Sequence, residues 1–152
     1  MPVWFFDSSA LVKCYIAETG SLWTRSIIDD DDSVVYVASL ARVETISALT
    51  RRLRRSDISQ VEFDVACKES QLDMATQYEV VGLTERMIEE ASELAQRHGL
   101  RAYDAVQLAV ALNTNRIVLQ VESTPLTFVS ADLELNLAAA AEGLQTDDPN
   151  TH

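Results

Sequence analysis

Apolar and polar positions follow one another in short blocks along the chain, and the period of each block assigns its element. Val3 to Phe6 is a brief apolar run that stops at Asp7, as a buried strand would. Ser8 and Ser9 are favourable N-caps for a helix whose apolar positions include Leu11, Val12, Tyr15 and Ile16. Gly20 and Ser21 interrupt the pattern before a second helical stretch, Leu22 to Ile28. The acids Asp29 to Asp32 are unfavourable at a helix C-terminus and predict a solvated loop. Val34 to Val37, β-branched and aromatic, predicts a second strand. From Ser39 a helix would carry Leu40, Val43, Ile46, Leu49 and Leu53 on one face, ending in Arg51, Arg52, Arg54 and Arg55.

Asp57 or Ser59 caps a further amphipathic helix with Val61, Val65, Leu72 and Ala75 among its apolar positions. Glu79 to Leu83 reads as a third strand, and Thr84 opens a helix closed by Gly99. Tyr103 to Leu112 is apolar nearly all round, the pattern of a buried helix, while Ile117 to Val121 reads as a small extra strand or an excursion. Leu126 to Val129 is another strand, leading through Ser130 and Asp132 into a helix that stops at Gly143. Leu144 and Gln145 add an edge strand before a disordered tail. Strands alternating with helices predict an α/β sandwich with a largely parallel sheet. The expected organisation is one domain over residues 1–147 and a polar tail at 148–152.

Composition narrows the function. A chain of 152 residues, 47% hydrophobic, can bury a core, yet it has no apolar run near the ~20 residues of a membrane span. Together with a start that lacks a charged leader, this predicts a cytoplasmic protein. Cys14 and Cys67 lie far apart in helical patterns and are expected to be buried, reduced thiols. The net charge of −12 argues against gripping nucleic acid by bulk electrostatics, so any such role must rest on local basic patches or a bound cation. Only two histidines are present, His98 at a helix end and His152 in the tail. They cannot supply the paired acid and base of metal-free RNA cleavage, nor a zinc site or a Ser-His-Asp triad.

The acids then become the candidates. In an open parallel sheet, ligands bind beyond the carboxyl ends of the strands. Asp7 directly follows the first strand, Asp132 follows the Leu126–Val129 strand, Asp104 begins the buried helix, and Glu44 lies about one turn into the helix after the second strand. Asp7, Asp104 and Asp132 could each serve only as an N-cap. Glu44 gains nothing from capping, and Ala41 and Ala48 beside it leave space rather than a cation, so its ordinary alternative is plain exposure. Two carboxylates ~4–6 Å apart repel by about 3–4 kcal/mol at an effective dielectric near 20, so convergence would raise their pKa values or demand a cation. A hard ion such as Mg²⁺ or Mn²⁺ suits an all-oxygen site, where it would activate water and neutralise charge on a phosphate.

The segments Asp7-Ser-Ser-Ala-Leu-Val-Lys-Cys-Tyr, Ala41-Arg-Val-Glu44-Thr-Ile-Ser-Ala-Leu, Leu100-Arg-Ala-Tyr-Asp104-Ala-Val-Gln-Leu-Ala and Phe128-Val-Ser-Ala-Asp132-Leu-Glu-Leu resemble the PIN-domain family. Within it, the chain is most similar to the VapC-type toxins of bacterial toxin–antitoxin pairs. The resemblance runs from residue 2 to about 147; its one departure is the lengthened apolar segment Ile117 to Pro125. It implies a PIN-like three-layer sandwich with a five-stranded parallel sheet, and Mg²⁺- or Mn²⁺-dependent cleavage of RNA. It further implies control by a small antitoxin with a basic segment, and a homodimer or a hetero-oligomer with that antitoxin. The family roles fall on Asp7 and Asp104 as principal metal ligands, with Glu44 and Asp132 acting through water or a second ion. Ser8 and Ser130 would orient ligands or phosphate, or simply cap helices.

Arg51 and Arg55 share a helical meridian with Glu44 and could follow flanking phosphates; Lys13, Arg42 and Arg101 are comparable candidates, and for all of them a solvated surface is the plainer alternative. Trp4, Trp23 and Tyr15 fit core or interface packing better than base stacking. An aspartyl-phosphate phosphatase would need an acid where Ser9 stands, and a receiver domain would need an acidic pair at the first strand. The remaining competitor is a PIN-like scaffold that binds partners without cleaving them.

Overall fold

The computed structural model describes residues 1–152. Five strands form one all-parallel sheet: β1 (Val3–Phe6), β2 (Val34–Ala38), β3 (Glu79–Val81), β4 (Thr127–Val129) and β5 (Gln145–Asp147), in the order β3-β2-β1-β4-β5. Seven helices flank it: α1 (Ser8–Lys13), α2 (Ser21–Ile28), α3 (Ala41–Arg54), α4 (Gln60–Thr76), α5 (Glu85–His98), α6 (Ala102–Val121) and α7 (Leu133–Ala141). No helix is long and apolar enough to cross a membrane.

Side chains alternate across a strand, and here that alternation feeds two cores. Val3 and Phe5 of β1 pack with Leu108, Leu126, Phe128 and Leu135 on the face covered by α5, α6 and α7. Phe6 points the other way, to Leu11, Ile27, Val35, Val37 and Met74 beneath α1, α2 and α4. The rings of Phe5 and Phe128 stack at 5.8 Å, fastening β1 to β4. The result is the expected three-layer α/β/α sandwich.

Several boundaries differ from the pattern reading, each for a local reason. The N-cap of α1 is Asp7, not Ser8 or Ser9, because the carboxylate accepts from the Ala10 amide; the helix ends at Lys13, before Tyr15 and Ile16. On α3 the buried face is Ala41, Thr45 and Leu49, and Val43 is exposed. On α4, capped by a Ser59–Glu62 capping box, the buried positions are Ala66, Ser70, Asp73 and Met74. Val61, Val65, Leu72 and Ala75 face outward there. The stretch 117–121 is no strand: α6 runs unbroken to Val121, since no Gly or Pro interrupts it and Asn113 and Thr114 bond back to carbonyls one turn earlier. Thr84 and Gly99 do bound α5, Gly99 in the left-handed conformation.

The tail is ordered. Pro149–Thr151 forms a 3₁₀ turn, and the His152 ring stacks on Trp23 at 4.0 Å while its Nε2 meets Asp147. Gly20 faces Pro149 so closely that a Cβ would stand 2.2 Å from its carbonyl oxygen. Trp23 in turn packs edge-on to Trp4, so these rings serve packing, as expected. The two cysteines are free and only partly covered; desolvation pushes the Cys14 thiol up to about 12, which keeps it protonated.

Candidate active site

From β1 the chain winds outward to β2 and β3, then returns to place β4 on the other side of β1. The sheet order therefore reverses between β1 and β4, and the crevice beyond their carboxyl ends is the usual place for a ligand. A cleft of about 830 Å³ opens there, and Asp7, Glu44, Asp104 and Asp132 all line it. Lys13, Arg51, Arg52 and Arg101 share its wall, whereas Arg42 and Arg55 do not reach it. As the side chains stand, no three ligating groups are drawn tightly around one point.

The four acids are held differently. Asp7 is buried, and both its oxygens are engaged. Oδ1 accepts from Ser9 Oγ at 2.7 Å and from the Ala10 amide at 3.0 Å, and Oδ2 accepts from Ser130 Oγ at 2.6 Å. Burial nevertheless dominates and raises its pKa to about 6, the hydrogen bonds pulling down and the nearby Asp104 charge adding to the rise. Asp132 caps α7 by accepting from the Leu135 amide at 3.1 Å. Both therefore are N-caps, and Asp7 is in addition charged in a place that offers it no cation.

Asp104 is not a cap. It sits in the first turn of α6, whose N-cap is Arg101, and its carboxyl is held above the ordinary range by burial, then by Asp132 and Glu44, with Arg101 partly offsetting them. Glu44 projects from α3 and accepts a hydrogen bond from Gln107 Nε2 at 2.8 Å. The space that Ala41 and Ala48 leave beside Glu44 is thus filled by an amide from α6, not by solvent.

Three further residues that line the cleft had no site role in the sequence reading. Gln107, 1% exposed, donates to both Glu44 and Ser8 Oγ (3.0 Å), and its own Oε1 is buried without a partner. Its signal was a lone amide in an apolar run, three residues after Asp104 and hence on the same helix face. Ser9 bridges the site by donating to Asp7 and accepting from the Ala131 amide at 2.9 Å; it lies two residues from Asp7. Glu18, from the α1–α2 turn, had no local signal, because its partners Lys13 and Arg52 come from two helices. Ser130 stands where expected, against Asp7, and Ser8 is tied to Gln107.

The donor set is oxygen throughout, with no thiolate or imidazole among the cleft residues. Asp7 and Asp104 each hold a proton more tightly than an isolated aspartate, and each is pushed in that direction by other acids of the cleft. A hard divalent cation relieves both strains at once, so these residues fit such an ion.

A parallel sheet with an acid-lined cleft at its reversal point is the arrangement of a PIN domain. That family matches residues 4–123, and the chain belongs to it. Its relatives within the family are VapC ribonucleases: it is 36% identical over 112 residues to ribonuclease VapC45 and ribonuclease VapC49 of Mycobacterium tuberculosis strains CDC 1551 and H37Rv, covering 74% of this chain and 76% of each of theirs. Solved structures agree on the fold. PAE2754 of Pyrobaculum aerophilum superposes with a TM-score of 0.69 at 20% identity over 99% of this chain and 91% of its own. VapC20 of M. tuberculosis, described as a sarcin–ricin-loop-cleaving toxin, gives 0.65 at 18% identity over 93% and 95%. The Rickettsia felis VapBC2 structure, bound to a fragment of its promoter DNA, gives 0.63 at 10% over 96% and 98%.

Proposed function

We propose that this protein is a metal-dependent endoribonuclease toxin, acting through Asp7, Glu44, Asp104 and Asp132 with Mg²⁺ or Mn²⁺ and restrained by a cognate antitoxin. The observation that carries the reading is the mutual crowding of these acids in one cleft, where Asp104 is held above its ordinary range by burial and by two other acids of the four. The VapC ribonuclease relatives support the substrate class.

The chain's own residues supply the geometry. Ser9, Ser130 and the Ala10 amide fix the Asp7 carboxylate. Gln107 can face Glu44 only with its NH₂ group, because an ionised carboxylate accepts and cannot donate. One Glu44 oxygen is thereby occupied by the amide, and the other has no hydrogen-bond partner within the chain. Asp104, bound by no helix-capping duty, is the acid best able to turn toward a ligand. When bound, a divalent ion supplies Lewis acidity to the phosphate and lowers the pKa of water.

With a net charge of −12 and an acidic cleft, the protein suits a small antitoxin that presents a basic segment. A homodimer, or a hetero-oligomer with the antitoxin, is the expected assembly, to be measured by light scattering with and without that partner.

Asp104→Asn tests the reading most directly, since no cap is lost with it. Cleavage of RNA in Mg²⁺ should fall at least about 1,000-fold, the several kcal/mol expected from a metal's charge stabilisation, with the melting temperature preserved. Undiminished cleavage by this variant, or by the parent in excess chelator, would sink the proposal.

A further inference from the structure

The cleft is electrically two-ended. Opposite the acids, one carboxylate serves two cations: Glu18 accepts from Arg52 Nη1 at 2.5 Å and Nη2 at 3.3 Å, and also from Lys13 Nζ at 3.3 Å. Lys13 is 7% exposed, and its only other partner is the Thr19 carbonyl at 2.8 Å. Arg51, the residue before Arg52 on α3, bonds only to the neutral Ser47 hydroxyl. Positive charge is therefore in excess at this end, in a protein that is strongly acidic elsewhere. Burying an ammonium with half a counter-charge is costly unless something else compensates.

The spacing along α3 fits a second phosphate of a strand lying in the cleft. Arg51 and Arg52 follow Glu44 by seven and eight residues on α3, which separates them from it by about 10–12 Å along the helix axis. A strand whose scissile phosphate lies among the acids would bring a neighbouring phosphate to these cations. Arg52 spends two N–H groups on Glu18 and keeps others for a ligand.

We infer that Lys13 and Arg52, fastened by Glu18 and joined by Arg51, form a backbone-phosphate seat for the single-stranded RNA that flanks the cleavage point. This deepens the ribonuclease reading and rests on it for the position of the scissile phosphate among the acids. Arg52 and Arg51 make the contact; Lys13 supports it from behind as a fixed charge; Glu18 is the positioning residue that holds both cations at the wall. The competing role is purely structural, a tie between the α1–α2 turn and α3.

Salt dependence of binding separates the two. A fluorescent single-stranded RNA oligonucleotide is titrated into the full-length Asp104→Asn protein in chelator, at several salt concentrations, with anisotropy as the readout. Arg52→Gln should weaken binding several-fold and flatten the slope of log K against log salt by about 0.7, one phosphate contact on a single strand. Glu18→Gln removes the carboxylate that holds both cations at the wall, so the seat predicts weaker binding in this variant too, by less than in Arg52→Gln. A structural tie predicts only a lower melting temperature for both variants. Unchanged affinity and slope in folded Arg52→Gln overturns the seat. Lys13→Met is the secondary variant, read only if it folds. Because binding is read without cleavage, a parent that binds with this slope but never cuts RNA would refute the ribonuclease and leave the seat standing; a parent that binds no RNA refutes both.

Discussion

Asp7 and Asp73 are the two buried acids of the chain, and the fold treats them in opposite ways. Asp73, on α4, receives Arg25 Nη1 at 3.1 Å and the Tyr15 hydroxyl at 2.9 Å, and Tyr15 leans on Tyr78 at 2.5 Å. Its charge is answered by a cation of the same molecule. Asp7 receives two hydroxyls and one amide, dipoles that orient a carboxylate without cancelling it. The first is how a protein stabilises a buried acid; the second is how it keeps one available.

The contrast yields effects of opposite sign. Asp7 has its pKa raised from 3.8 to about 6, so the folded state binds this proton more tightly than the unfolded chain. Stability from that source is full below pH ~4 and is lost as pH rises through about 6, about 3 kcal/mol in all. Asp7→Asn should therefore be more stable than the parent by up to about 3 kcal/mol at pH 7.5 in chelator, and the two should converge near pH 4. Denaturant unfolding at both pH values reads this, and a variant less stable at pH 7.5 would contradict it. Added Mn²⁺ should raise the parent's melting temperature more than the variant's.

Removing the cation from the other acid works the opposite way. Arg25→Met leaves Asp73 buried with only Tyr15 for company, and should cost about 2 kcal/mol, the lower end for a broken buried pair because Arg25 is 38% exposed. Specific activity of the folded fraction should not change, which a cleavage assay normalised to circular dichroism would check. The smallest effect belongs to the amide that links Glu44 to Ser8. Gln107→Leu keeps the buried volume and should lower cleavage about 10-fold to 100-fold, the usual penalty for losing a group that orients a metal ligand. Calorimetry should show weaker Mn²⁺ binding in the same variant; parent-like binding would mean that Gln107 only fills space.

The sequence made the α/β alternation, the start of each strand and the four acids legible, because each depends on local pattern: an apolar run, a cap residue, a Gly at a helix end. It misled where tertiary packing overrides period. Val43, Val61 and Leu72 read as core positions, yet the faces that meet other helices are Ala41, Thr45 and Leu49 on α3 and Ala66, Ser70 and Met74 on α4. Ala41, Thr45, Ala66 and Ser70 are small enough to let these helices approach closely, and hydrophobicity scales undervalue such residues. Ile117 to Val121 misled through β-branched propensity inside an uninterrupted helix. The tail reads as disordered because stacking of His152 on Trp23 joins residues 129 positions apart, as does the Lys13–Glu18–Arg52 network for residues 34 apart.

The bond from Ser130 to Asp7 spans 123 positions of the chain. β1 likewise meets β4 only across that interval, with Phe5 registered against Phe128. Closing so large a loop is slow and comes late in folding, and a protein made from its N-terminus cannot close it until Ser130 of its 152 residues has emerged. A nascent chain thus carries Asp7, Glu44 and even Asp104 before Ser130 and Asp132 can join them in the cleft. Under the proposed reading, the four-acid site is completed only after β4 has paired with β1, late in synthesis, which would leave time for an inhibitor to bind first.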